Sequence, residues 1–204
     1  MIEHLDETNQ FLDRVENYTG VRLPKPYVSK SKIVGVFLHK KMVAGYMIVT
    51  QPSFRSVLFV PDEIKAISSF FNIDQFEMME VNGLWIGPGL KTPSLQIRVW
   101  LHLIKDIFSC RKKYVLLMRN IRNRNMERFL GMANPNSLYK GAPVLMAGDV
   151  THQAIEVSYT TRWSIVLNTH KYLLELLHRQ RRAARNLRYK SSIQDLKRTE
   201  PHHA

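Results

Sequence analysis

The change of hydrophobic period across "FEMMEVNGLWIGPGLKTPSLQIRVWLHLIKDIFS", Phe76–Ser109, limits the fold more than any other part of the chain. Before the glycines the run reads as a strand, with Met78–Ile86 at its centre. After them the apolar residues recur at helical spacing. Ile97, Trp100, Leu101, Ile104, Ile107 and Phe108 share one face of a helix over Leu95–Ser109, and Arg98, His102, Lys105 and Ser109 share the other. A third run, "KKYVLLMRN", is a compact buried strand. A strand, a helix and a strand in that order predict Tyr114–Met118 parallel to Met78–Ile86, joined by a right-handed crossover.

Other segments extend this unit. Glu3–Tyr18 reads as a helix, with apolar residues at Leu5, Leu12 and Val15. "GVRLPKPYVSKSK" is a loop, marked by its prolines. Ile33–Leu38 and Val43–Thr50 flank the polar turn "HKKM" and predict a hairpin. Pro61-Asp62-Glu63 opens a helix running to Phe71. "RNRNMERFLG" is a short helix stopped by Gly131. "HQAIEVSYTT" alternates, with Ile155, Val157 and Tyr159 on one side and Glu156 and Ser158 on the other. From Thr169 a last helix is apolar at Leu173, Leu176 and Leu177, and then basic. The fold class is α/β (α+β), a mixed sheet flanked by helices. Residues 1–168 form the domain and 169–204 a basic helical extension.

The stretch "GLWIGPGLKTPS", Gly83–Ser94, invites a phosphate-loop reading. A Walker loop requires Gly directly before Lys, and Leu90 separates Gly89 from Lys91. The dinucleotide fingerprint finds Gly87 and Gly89, but Thr92 stands where its third glycine belongs. Two readings remain: a turn, for which Gly-Pro-Gly is suited, and a ligand loop of another kind.

The succession of "VGVFLHKKMVAGYMIV", "FEMMEVNGLWIG", "PGLKTPS", "LQIRVWLHLIKDIF", "KKYVLLMRN" and "RNRNMERFLGM" resembles the GNAT acyltransferase superfamily over about Lys32 to Met132. The resemblance implies that the loop after the strand binds the pyrophosphate of acyl-coenzyme A. The family's usual Gln/Arg-x-x-Gly-x-Gly/Ala run has its place at "KTPSLQ". Lys91 takes the Arg position there, and Ser94 and Gln96 take the glycine positions. Ser94 is then placed to cap the helix. On this reading Trp85, Ile86, Lys91, Thr92, Ser94, Leu95, Asn120 and Asn123 bind the coenzyme. Capping is the competing role for the two asparagines.

The implied activity is N-acyl transfer to an amine, small or macromolecular. It needs a base and an acid for the departing thiolate. Glu80 on the central strand is the candidate base, and its flanking Asn82 and Trp85 suggest a burial-raised pKa. Tyr139 in "NSLYKG" is the candidate acid, by analogy only, because Glu127 occupies the family's tyrosine position. The alternative is a catalytically silent module of the same kind, binding nucleic acid or an acidic protein.

That alternative draws on charge. Thirty Lys and Arg face 17 Asp and Glu, a formal +13, which attracts polyanions. The excess gathers in "HRQRRAARNLRYK", where Arg181, Arg182, Arg185 and Arg188 are offered to nucleic acid or an acidic carrier protein. No histidine or cysteine spacing predicts a metal site. Cys110 is the single cysteine, so no internal disulfide forms, and nothing in the sequence activates it. No G-x-S-x-G run supports a serine hydrolase. No apolar run has the length of a spanning helix, and the acidic N-terminus lacks the pattern of a signal peptide. A cytoplasmic protein is expected.

Overall fold

A computed structural model describes residues 5–19, 22–87, 89, 90, 92–144, 154–179, 181, 182, 184 and 185. In chain order the elements are α1 (Leu5–Thr19), α2 (Lys25–Val28), β1 (Ser31–Leu38), β2 (Lys41–Val49), α3 (Arg55–Leu58), α4 (Asp62–Ile67), β3 (Met78–Ile86), α5 (Pro93–Ser109), β4 (Tyr114–Asn120), α6 (Arg124–Gly131), β5 (Asn136–Gly141), β6 (Ile155–Thr161) and α7 (Arg162–Leu167). Residues 169–179 form a further helix, α8. The strands make one mixed sheet in the order β1-β2-β3-β4-β6-β5.

The hairpin forms where its sequence asks for it. His39 and Lys40 both take positive φ, 49° and 62°, the two-residue turn whose twist suits adjacent strands. β3 and β4 are parallel, with Met78 opposite Tyr114, Met79 opposite Val115 and Glu80 opposite Leu116. The expected helix Pro61–Phe71 is shorter. α4 ends at Ile67, and a 3-10 turn occupies Ser69–Asn72, where Phe70 folds into the core against Tyr159 and Tyr114.

Side chains alternate across the sheet and fill two cores. On one face Phe11 and Val15 of α1, with Leu23 and Val28, pack on Met47, Val49, Met78, Trp85 and Leu116. On the other, Leu103 and Ile107 of α5 and Phe129 of α6 pack on Tyr46, Ile48, Met79, Val115 and Leu117. Tyr172 and Leu176 of α8 are buried in that same second core, so α8 begins as part of the domain rather than as an appendage.

Two expectations about α5 are corrected. Its buried residues are Val99, Leu103, Asp106 and Ile107, while Leu101 and Phe108 are exposed, so the inward face is turned from the one expected. Ile97, Trp100, Ile104 and Ile107 still pack on the second core, and Asp106 joins the inward side. Lys32 pairs with it at 2.8 Å and the Tyr46 hydroxyl donates to it at 2.9 Å, which satisfies a carboxylate inside the fold. Ser94 does not cap the helix. Thr92 holds the N-cap position, Pro93 opens the first turn as proline does well, and Ser94 lies inside that turn.

β3 carries a bulge opposite Tyr46. Gly45 pairs with Trp85 and Met47 with Asn82, so the single residue Tyr46 lies opposite both Gly83 and Leu84. Gly83 has φ +57°, and a Cβ there would stand 3.1 Å from Phe11 and 3.2 Å from Val15. Gly83→Ala is expected to cost about 1–2 kcal/mol for the left-handed backbone, before any displacement of Phe11. Urea unfolding of the pair measures it, and a midpoint equal to the parent's refutes it.

Candidate functional site

Beyond Glu80 and Leu116 the parallel pairing stops and the two strands part. The bulge at Gly83 follows in β3, and α6 brings Met126 and Leu130 beside the gap. The result is a cleft of about 570 Å³. Its walls are the second half of β3, Val81 to Ile86, and the end of β4, Leu117 to Asn120, with Arg122, Asn123, Met126 and Leu130. Its lining is mixed: Val81, Leu84, Ile86, Leu117 and Met118 give apolar strand surface, and Asn82, Arg119, Asn120, Arg122 and Asn123 give polar groups.

Four of the expected coenzyme residues line this cleft: Trp85, Ile86, Asn120 and Asn123. Both asparagines also shape the backbone. Asn123 caps α6 by accepting from the Met126 N–H at 3.1 Å, and Asn120 accepts from the Arg122 N–H at 2.9 Å. Their carboxamide N–H groups are the donors left to a ligand. Thr92 and Ser94 are exposed at the start of α5, outside the lining. Leu95 packs against Val43, Ala44, Leu90 and Val99. Leu90, which breaks the Walker pattern, is a core residue, and its carbonyl accepts from Gln96 Nε2 at 2.7 Å. Lys91 lies outside the described residues.

The two candidate catalytic residues are not brought together. Glu80 sits at the vertex where β3 and β4 part, fully buried. Its Oε2 accepts from the Tyr27 hydroxyl at 2.6 Å and the Arg55 N–H at 2.9 Å, and its Oε1 accepts from the Ser56 N–H at 2.9 Å. Burial raises its pKa, outweighing these donors, which favour the charged form. Tyr139 lies on edge strand β5, two strands from β4, and donates its hydroxyl to the Ala142 carbonyl. It does not line the cleft.

Sequence reasoning missed several neighbours. Tyr27 comes from the proline-marked loop, where no periodicity singles it out. Its hydroxyl also accepts from Asn82 Nδ2 at 3.1 Å, while Asn82 Oδ1 accepts from the Gly83 N–H at 2.7 Å. Arg119 is held against the cleft wall by Glu156 and, at 3.0 Å, by Glu127. A glycine inside a strand pattern was the one available signal for the bulge.

The basic end of the chain is partly spoken for. Arg128 of α6 and Arg179 of α8 pair with the buried Glu175 at 2.8 and 2.9 Å, and Arg182 approaches it at 3.5 Å. Burial works to raise the Glu175 carboxyl, but the three arginines outweigh it and hold the group low. Arg181 and Arg185 are helical and exposed, and Arg188 lies outside the described residues. Among the described residues no group of three or more His, Cys, Asp or Glu is placed to hold a metal, and no helix is long and apolar enough to cross a membrane.

No family model matches the chain, and no curated protein sequence matches it. Solved structures do. FeeM, an N-acyl amino acid synthase from uncultured soil microbes, superposes with a TM-score of 0.54 at 10% identity, covering 77% of this chain and 90% of its own. The acyl-homoserine lactone synthase LasI gives 0.52 at 7%, covering 76% and 85%. BjaI, a coenzyme A-dependent acyl-homoserine lactone synthase solved with MTA, gives 0.51 at 10%, covering 82% of each chain. Together with the mixed sheet, the bulged central strand and the parting of its parallel pair, these likenesses show that this chain has the GNAT fold.

Proposed function

We propose that the protein is an N-acyltransferase that moves an acyl group from acyl-coenzyme A to an amine. The reading is carried by the parting of β3 and β4 directly after Glu80. Parallel strands that part leave backbone N–H and C=O groups turned to the gap, and such groups require partners. The amide-bearing arm of coenzyme A supplies them. The cleft's volume falls within the usual span of ligand sites, roughly 300–1,000 Å³. Its apolar strand walls suit the carbon chain of that arm, and Asn120, Asn123 and the exposed Arg122 suit its amides and phosphates. Lys91, Thr92 and Ser94, before and within the first turn of α5, are assigned to the phosphate end, which a helix N-terminus favours.

In the reaction the thioester carbon lies at the vertex. The amine nitrogen attacks it, the C–N bond forms and the C–S bond breaks, its electron pair leaving on the coenzyme A sulfur as thiolate. Glu80 is the base on which a proton ends when the nitrogen loses one, and burial raises its pKa, which strengthens it as a base. Tyr139 is given no part, because its hydroxyl is engaged with Ala142 on the far strand.

A second reading is a catalytically silent module of the same fold that binds nucleic acid or an acidic protein. It draws on Gln96, whose side chain ties back to the Leu90 carbonyl at 2.7 Å where the resembled loop has glycine. Calorimetry with acetyl- and longer acyl-coenzyme A separates the two. Binding in the micromolar to millimolar range, with transfer to amines, is expected for the enzyme. No binding to any of these donors or to acyl carrier protein overturns the first reading. Binding without transfer to any amine supports the second.

A further inference from the structure

Glu80 is enclosed, yet a base must exchange protons with its substrate. Three residues hydrogen-bond its carboxylate: Tyr27, Arg55 and Ser56. Arg55 and Ser56 are 5% and 0% exposed, and the bonds at 2.9 Å come from their backbone N–H groups, which do not pass a proton on; the Ser56 hydroxyl also acts on Glu80 but is itself fully buried, with no route onward. Tyr27 is only half-buried, and it bonds through a hydroxyl, a group that both donates and accepts. That hydroxyl donates to Glu80 at 2.6 Å and accepts from Asn82 at 3.1 Å. Asn82 lines the cleft two residues beyond the vertex. The Tyr27 oxygen therefore stands one hydrogen bond behind the cleft wall, with a second lone pair available to an N–H.

We propose that Tyr27 is a catalytic residue of the transfer, its hydroxyl taking the proton of the acceptor amine while handing its own to Glu80. The proposal rests on the acyl-transfer reading above. The nitrogen lone pair forms the C–N bond, the amine N–H bond breaks, and the C–S bond breaks with its electron pair leaving on the coenzyme A sulfur as thiolate. An O–H bond forms at Tyr27 as its original O–H bond breaks, and a new O–H bond forms on Glu80. Tyr27 is neutral before and after. Burial, and then the neighbouring Glu80, push its phenol far above the ordinary range, so it serves as a relay and not as a phenolate base.

Full-length Tyr27→Phe tests this. The acyl-coenzyme A affinity measured by calorimetry stays unchanged. The plateau of kcat/KM above the acid limb falls about 100-fold, the scale of one lost proton-transfer group. A merely structural tyrosine would move only the acid limb, to higher pH, because the carboxylate loses a donor. A plateau within about threefold of the parent's overturns the proposal. An infrared readout needs no turnover. The protonated Glu80 carboxyl band, assigned by its loss in Glu80→Gln, shifts on transfer to D2O at acid pH. Tyr27→Phe is expected to slow that exchange at least tenfold, by the same loss of a relay group. Equal rates overturn the relay even if the parent transfers no acyl group, the result that overturns the acyl-transfer reading instead. If Tyr27→Phe does not fold, 2,3-difluorotyrosine at position 27 retains both hydrogen bonds. The relay then predicts an altered deuterium-exchange rate at the Glu80 carboxyl, and a rate equal to the parent's refutes it.

Discussion

Glu80→Gln is expected to lower acyl transfer about 1,000-fold with little change in acyl-coenzyme A affinity, since it removes the base and leaves the cleft walls in place. The swap is nearly isosteric but not neutral for the fold. A carboxylate accepts at both oxygens, and here both accept from backbone N–H groups, at Arg55 and Ser56. An amide offers one oxygen, so one N–H meets another donor, a loss of about 1–3 kcal/mol. Against this, the amide removes a buried charge. The two effects separate with pH. Burial raises the Glu80 pKa above its ordinary 4.5, so between those values the folded chain holds a proton that the unfolded chain has released. The stabilisation from that proton is complete below 4.5 and is lost as pH rises through the folded value. The parent should therefore melt progressively lower, relative to Glu80→Gln, as pH climbs through that window. Melting curves at a series of pH values measure it, and a constant gap refutes the buried titration. Transfer within about tenfold of the parent's refutes the assignment of the base.

Phe11→Ala carries the largest expected loss of stability, about 3–5 kcal/mol for a fully buried phenylalanine. In a domain of this length that corresponds to a melting temperature lower by roughly 6–20 °C. The reason lies in two glycines. Gly45 on β2, opposite Trp85, and Gly83 in the β3 bulge both border the Phe11 ring, which fills the room they leave. A Cβ at Gly45 would stand 2.9 Å from that ring and 3.0 Å from the Val34 carbonyl, so neither glycine can grow to close the cavity. The ring also braces the bulge that parts β3 from β4. Acyl-coenzyme A affinity, measured by calorimetry below the new melting temperature, should fall in parallel. A loss under about 1 kcal/mol would show that the site collapses onto the gap.

The parts of this fold that the sequence made legible are those written in local period. β3 appears at Met78–Ile86 as read, because strand spacing and the glycines after it mark both ends. The hairpin and the parallel β4 come from the same kind of signal. Periodicity failed where long-range chemistry overrode it. Asp106 carries no mark in the period of α5, and its partners Lys32 and Tyr46 lie far back in the chain. The candidate site shows the same division. Glu80 and Asn82 could be picked from the strand, whereas Tyr27 lies 53 positions from its carboxylate partner and belongs to no pattern. Tyr139 rests on analogy with the resembled family, and strand order sets it on the opposite edge of the sheet from β1.

The arginines near the end of the chain invite removal by truncation, as the simplest test of whether they bind polyanions. A cut at residue 168 would also take Tyr172 and Leu176 out of the second core and leave Arg128 beside no carboxylate at Glu175. Such a fragment would lose affinity for every ligand at once, and its failure would mimic the loss of a nucleic-acid site. The informative deletion begins after Arg185, and within the helix single charge reversals at Arg181 or Arg185 are the cleaner probe.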